Sequence, residues 1–194
     1  MRAVETSIPG VTLFEIRPKQ VDERGFFLRV FDAELYAAAG VDHTRLVQEN
    51  QSRSVRRTIR GLHTRSNLTE SKLVRCARGE IFDVVVDLRS WSPSFLTWES
   101  FTLSDENFAQ LWIPPGCAHG FQALTDVVDV CYRVDSAYDP DVDVAVSYRD
   151  PEIGIAWPLD DPIVSPRDAA APSLAALRPH FETWYGTKPP GTSA

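Results

Sequence analysis

The sequence predicts an all-β domain, a β-sandwich or jelly roll of short antiparallel strands with minor short helices. Three observations carry this. Apolar runs are short and alternate with polar residues, clusters of Gly, Pro, Asp and Ser interrupt them repeatedly, and the connections are too short for crossover helices. Its 194 residues, 43% hydrophobic and 10% aromatic, suffice for one substantial core. One domain over residues 1–187 is expected, with 188–194, made of Lys, Pro, Gly, Thr, Ser and Ala, as a mobile tail.

The clearest strand is Ile81 to Leu88, β-branched and stopped by the turn Arg89-Ser90-Trp91-Ser92-Pro93; it is expected to be central. Further strands are expected near 11–17, 45–51, 72–77, 97–103, 109–113, 118–124 and 127–134, and Arg60-Gly61-Leu62-His63 reads as part of another. Asp32 is an expected N-cap for a helix over Ala33 to Ala39, with Gly40 as its stop, and a second short helix is expected within 173–180. A closed or sandwiched β architecture of this kind can hold a ligand at one open end.

Charge narrows the function classes. With 27 acidic and 20 basic residues, the net charge of −7 gives no global attraction for nucleic acid or an anionic membrane. No run is long and apolar enough to span a bilayer, and the amino terminus lacks a signal-peptide core, so a cytoplasmic protein is expected. Cys76, Cys117 and Cys131 are odd in number and lack metal-knuckle spacing, which suits buried thiols in a reducing compartment.

Of the four histidines, His43 and His180 sit in polar, helix-flanking contexts and are expected at the surface. His63 ends Arg60-Gly61-Leu62-His63, and His119 follows the turn Pro114-Pro115-Gly116-Cys117-Ala118, so both are candidates for one cavity. The Pro-x-Gly-x-x-His pattern at 114–119 resembles the second motif of the cupin superfamily of small jelly-roll barrels, which often hold a metal. A cupin metal site also needs His-x-His, and the residue two after His63 is Arg65, whose guanidinium is no ligand. No metal is therefore expected.

An ordered set of segments is more specific. Arg60-Gly61-Leu62-His63, Lys72-Leu73-Val74-Arg75, Phe82-Asp83-Val84-Val85-Val86-Asp87-Leu88-Arg89 and Leu111-Trp112-Ile113-Pro114-Pro115-Gly116 together resemble the dTDP-4-dehydrorhamnose 3,5-epimerase family. Ala118-His119-Gly120-Phe121, Tyr132, Asp150-Pro151, Ile155-Ala156-Trp157-Pro158 and Ser165 to Pro172 extend the likeness over about residues 8 to 172. The resemblance implies a metal-free cupin jelly roll, a homodimer, and a cofactor-independent epimerase of dTDP-4-keto-6-deoxy-D-glucose inverting C3, C5 or both. It also implies His63 as base paired with Asp168, Tyr132 as acid, and substrate contacts from Arg24 and Phe27 of a neighbouring subunit, with His119 lining the site. Lys72 is the cation suited to an enolate oxygen, Arg60, Gln48 and Asn50 supply donors for a diphosphate, and Tyr138 completes the expected binding set.

Each residue taken singly also fits a structural role: His63 a satisfied core histidine, Tyr132 a strand aromatic, Lys72 a solvated edge charge, and Asp168 an N-cap before the alanines at 169–171. Arg53, Arg56 and Arg57 read as a solvated basic face. The chain departs from the family pattern at Thr64-Arg65, where an aromatic and Gln are usual, and at Arg29, Cys117 and Arg167, which replace Glu, Phe and Lys. These positions bear on which carbons are inverted and which sugar nucleotide is accepted. Two other classes compete with an epimerase of both carbons or one: a metal-dependent cupin oxygenase and a non-catalytic sugar-nucleotide-binding module.

Overall fold

A computed structural model describes residues 1–186, apart from the side chains of residues 182 and 185. The expected tail at 188–194 lies outside the described residues. Thirteen strands are described: β1 (Arg2–Glu5), β2 (Thr12–Glu15), β3 (Gln20–Asp22), β4 (Gly25–Phe27), β5 (Gln48–Val55), β6 (Ile59–Arg65), β7 (Lys72–Arg78), β8 (Glu80–Asp87), β9 (Trp98–Ser104), β10 (Gln110–Ile113), β11 (Cys117–Ala123), β12 (Val127–Val134) and β13 (Asp143–Ala145). The helices are α1 (Ala33–Ala38), α2 (Pro166–Ala169) and α3 (Leu174–Tyr185).

The strands form a six-stranded sheet ordered β1-β2-β10-β7-β12-β5, a five-stranded sheet ordered β13-β6-β11-β8-β9, and the separate hairpin β3-β4. Every strand pairing within them is antiparallel, as the short connections require. This is a jelly-roll sandwich of the cupin type, as expected. Strand β8 runs between β11 and β9, and its alternation is apolar on both faces because both faces are covered. Val85 and Ile81 join Val74, Leu111, Phe121 and Val130 in the core between the sheets. Val84 and Val86 pack outward with Leu62 and Ala118 under Leu174, Leu177 and Phe181 of α3. A third apolar cluster, Phe14, Ile16, Tyr36, Val41 and Leu73, seats α1 against the outer face of the six-stranded sheet.

Asp32 caps α1 by accepting from the Leu35 amide, and Gly40 follows at φ +82°, the left-handed turn that ends the helix. The helix expected within 173–180 is α3, which runs on to Tyr185 because Phe181 continues the buried stripe of Leu174 and Leu177 beyond residue 180. Strands β1, β3, β4 and β13 have no clear apolar alternation and escaped the pattern; each is only three or four residues long. His43 is half-buried beside the Phe31 ring rather than on the surface, because the 3₁₀ turn 43–45 folds it under the α1 segment; His180 is exposed. All three cysteines are free and buried, and burial pushes the Cys76 and Cys117 thiols up to about 12, leaving them protonated and unreactive. Among the described residues no helix is long and apolar enough to cross a membrane.

Candidate active site

Toward one end of the sandwich the two sheets enclose a cavity of about 720 Å³. His63, Lys72, Tyr132, Asp168, Gln48, Asn50, Arg60, His119 and Tyr138 all line it, so nine residues singled out in the sequence converge on one space. Their convergence follows from register. On β5, Gln48 and Asn50 alternate inward and face Val134 and Tyr132 of β12, while Lys72 opposes Val134 from the other side. Across the cavity, His63 of β6 pairs directly with His119 of β11. The five-stranded sheet therefore presents the histidines and the six-stranded sheet presents Tyr132 and Lys72.

The approach of β6 to β11 depends on glycine. Gly61 has φ +129°, and a Cβ there would meet Gly120 Cα at 2.5 Å. Two residues later, His63 Nε2 lies 2.7 Å from Asp168 Oδ1. Asp168 is not the cap of the segment that carries it. Ser165 caps α2 by accepting from the Asp168 amide, which leaves the carboxylate to face His63. Burial pushes the Asp168 carboxyl up, but the bond to His63 and its charge, with Ser165 and the Gly61 amide, outweigh burial and hold it below the ordinary range.

A second imidazole–carboxylate pair sits deeper, where His119 Nε2 lies 2.8 Å from Asp83 Oδ2. Asp83 is fully buried, and burial pushes its carboxyl up against the opposing pull of His119 and Lys72. Tyr132 is half-buried; burial, and next the charge of Glu70, push its phenol up, so it stays protonated at neutral pH and can donate. Lys72 lies on an interior strand, only 11% exposed, with Glu70 Oε2 at 3.1 Å, and is no solvated edge charge.

Sequence reasoning passed over Asp83, Glu70, Arg65 and Asp143 as site residues, although all but Asp83 line the cavity and Asp83 holds a residue that does. Asp83 had a signal: a carboxylate within an otherwise apolar interior strand has to find a buried partner. Asp143 pairs with Arg167 at 2.9 Å on the cavity wall, so Arg167, first seen as a departure, belongs to the site. Arg29 pairs with Asp32 away from it. Arg24 and Phe27 do not line the cavity of their own chain: Arg24 is exposed and paired with Asp22, and Phe27 is 59% exposed on the β3-β4 hairpin. Arg53 is 64% exposed, as a solvated face requires, and it is also paired with Asp129 and lines the cavity. Among the described residues no three His, Cys, Asp or Glu side chains gather to hold a metal, and both cavity histidines have one ring nitrogen on a carboxylate.

The family model for dTDP-4-dehydrorhamnose 3,5-epimerase matches residues 5–176. The chain belongs to this family. The dTDP-4-dehydrorhamnose 3,5-epimerase of Methanothermobacter thermautotrophicus is 44% identical over 170 residues, 86% of this chain and 91% of that protein. Among solved structures, the dTDP-6-deoxy-D-glucose-3,5-epimerase of Legionella pneumophila, crystallised with dTDP-4-keto-L-rhamnose, superposes with a TM-score of 0.87 at 40% identity, covering 93% and 96% of the two chains. A 4-keto-6-deoxy sugar epimerase from the novobiocin biosynthetic gene cluster of Streptomyces spheroides also gives 0.87, at 38% identity over 92% and 90%. This epimerase family membership accounts for the jelly roll and for the ordered motifs that line its cavity.

Proposed function

We propose that the chain is an epimerase of a dTDP-linked 4-keto-6-deoxysugar, of the dTDP-4-keto-6-deoxy-D-glucose type, inverting carbon beside the C4 ketone in deoxysugar biosynthesis. The observation that supports this most is the placement of a histidine–carboxylate pair and a protonated tyrosine on opposing sheets of one cavity. A proton next to a ketone is weakly acidic, and a neutral imidazole is a base of suitable strength. With Nε2 engaged by Asp168, Nδ1 is the atom that accepts the proton, and the carboxylate stabilises the imidazolium formed. The electron pair released from the C–H bond moves into an enolate, and Lys72 offsets the charge growing on the C4 oxygen. Tyr132 then donates its proton to that carbon from the opposite wall, which inverts the centre. His63 and Tyr132 recover their starting states by proton exchange with solvent.

Arg60, Gln48, Asn50, His119 and Tyr138 line the space left for the sugar and nucleotide, with Arg60 the cation among them suited to the diphosphate. We also read the protein as a cytoplasmic homodimer. The exposure of Phe26 and Phe27, 57% and 59% on the β3-β4 hairpin beside Arg24, supports this reading, since an apolar pair in the open suits contact with a second copy. Proton NMR of dTDP-4-keto-6-deoxy-D-glucose with the protein in deuterated water tests the reading. Exchange at C3 and C5, followed separately, is expected at one or both positions; no enzyme-dependent exchange at either would refute the substrate assignment.

A further inference from the structure

Two residues beyond His63 on the same face of β6, the cavity wall carries a charge cluster that joins Lys72 to two groups without a role in the proton transfers, Glu70 and Arg65. Arg65 is only 6% exposed. Its guanidinium donates to Glu70 Oε1 from Nε at 3.2 Å and from Nη2 at 2.9 Å. It also donates to the Asp139 carbonyl from Nη1 at 2.7 Å and lies 5.6 Å from the centre of the Tyr138 ring. The other Glu70 oxygen takes Lys72 Nζ at 3.1 Å. One carboxylate thus lies between two cations, and burial alone would raise it; Lys72 and Arg65 together hold it ionised.

We infer that Arg65 is a positioning residue of the epimerisation, resting on the reading above: it shares Glu70 with Lys72, keeping a net cation at the ketone, and holds Tyr138 at the cavity mouth. Counted as formal charges, Arg65, Glu70 and Lys72 sum to one positive charge. Without Arg65 the remaining pair sums to zero, and the oxygen of a forming enolate meets a cation already neutralised by a buried carboxylate a few ångströms away. The second effect is separate. The loop from Asp135 to Val142 is tied to β6 through the Asp139 carbonyl and the stack on Tyr138, so removing the guanidinium frees the rim without touching the base. Lysine could keep the charge but not the forked contact to Glu70 and the carbonyl at once.

The test is a charge-rescue cycle on the full chain, with exchange and turnover of dTDP-4-keto-6-deoxy-D-glucose as readouts and thermal melts confirming the fold. Arg65→Gln is expected to lower kcat about tenfold and raise KM about threefold. Adding Glu70→Gln returns the cluster to one positive charge, so kcat is expected within about twofold of wild type while KM stays raised, a split that a merely structural residue would not give. Should Arg65→Gln fail to fold, Arg65→Lys carries the test, with kcat kept and KM raised about threefold. Wild-type turnover with an unchanged kcat in Arg65→Gln, no recovery in the double variant, or a folded Arg65→Lys that loses kcat would overturn the inference and leave the epimerase reading standing. A wild-type protein without exchange would remove that reading and the inference with it.

Discussion

His63 Nε2 and Asp168 Oδ1 meet at 2.7 Å although 105 residues separate them in the chain. The contact ties β6 to α2, both of which line the cavity. It also selects the ring nitrogen that stays available, because a carboxylate on Nε2 favours the proton there and leaves Nδ1 as the acceptor. Asp168→Asn keeps the shape of the pair but removes the charge that, in the proposed reaction, stabilises the imidazolium. Steady-state kinetics is expected to show kcat reduced about a hundredfold or more with KM nearly unchanged. An equal loss confined to KM would place Asp168 in binding instead.

Gly61→Ala brings a methyl group to 2.5 Å from the Gly120 backbone at a φ of +129°. Strands β6 and β11 have to separate to admit it, and His63 moves with β6. Urea denaturation is expected to show a loss of about 3 kcal/mol or more. Gly25→Ala, at a position with open space around the added carbon, serves as the control and is expected to cost less.

Acid stability should depend on Asp87. This carboxylate is fully buried at the end of β8, where it accepts from Arg89 Nε at 2.7 Å and from Ser94 at 2.6 Å, while Arg89 also donates to the Pro9 carbonyl. Burial pushes Asp87 up, but Arg89, Ser92 and Ser94 overcome it and hold the carboxyl below its ordinary value. The folded state therefore binds this proton less readily than the unfolded state. Its contribution is fully present above the unfolded carboxylate range near pH ~3.9 and is lost as pH falls through the lower folded value. Chemical denaturation from pH 7 to 3 is expected to show a steeper decline for wild type than for Asp87→Asn. At pH 7 that variant is expected to be less stable by roughly 3 kcal/mol, since Arg89 loses its buried partner.

Much of this molecule was legible in its residues, and the reasons are physical. Strand β8 declared itself because burial on both faces demands a continuous β-branched run. Gly61 and Gly120 mark where two backbones come close, and the motif histidines sit beside them. The short strands β1, β3, β4 and β13 were not legible, because four or fewer residues on a half-exposed edge need no alternation. Asp168 was ambiguous for a reason the structure makes plain: Ser165, three residues earlier, takes the cap and frees the carboxylate. Arg65 read only as a departure beside the base, since its partners Glu70, Asp139 and Tyr138 come from other segments that only the folded chain brings together.

The central claim is that His63 removes the proton and Tyr132 returns one from the opposing sheet. Deuterium incorporation into dTDP-4-keto-6-deoxy-D-glucose, measured side by side for wild type, His63→Ala and Tyr132→Phe, tests it most directly. The account expects no incorporation with His63→Ala, and with Tyr132→Phe incorporation that proceeds without inversion, because abstraction survives while the opposite-face donor is gone. Incorporation that persists in His63→Ala, or inversion that persists in Tyr132→Phe, would contradict it.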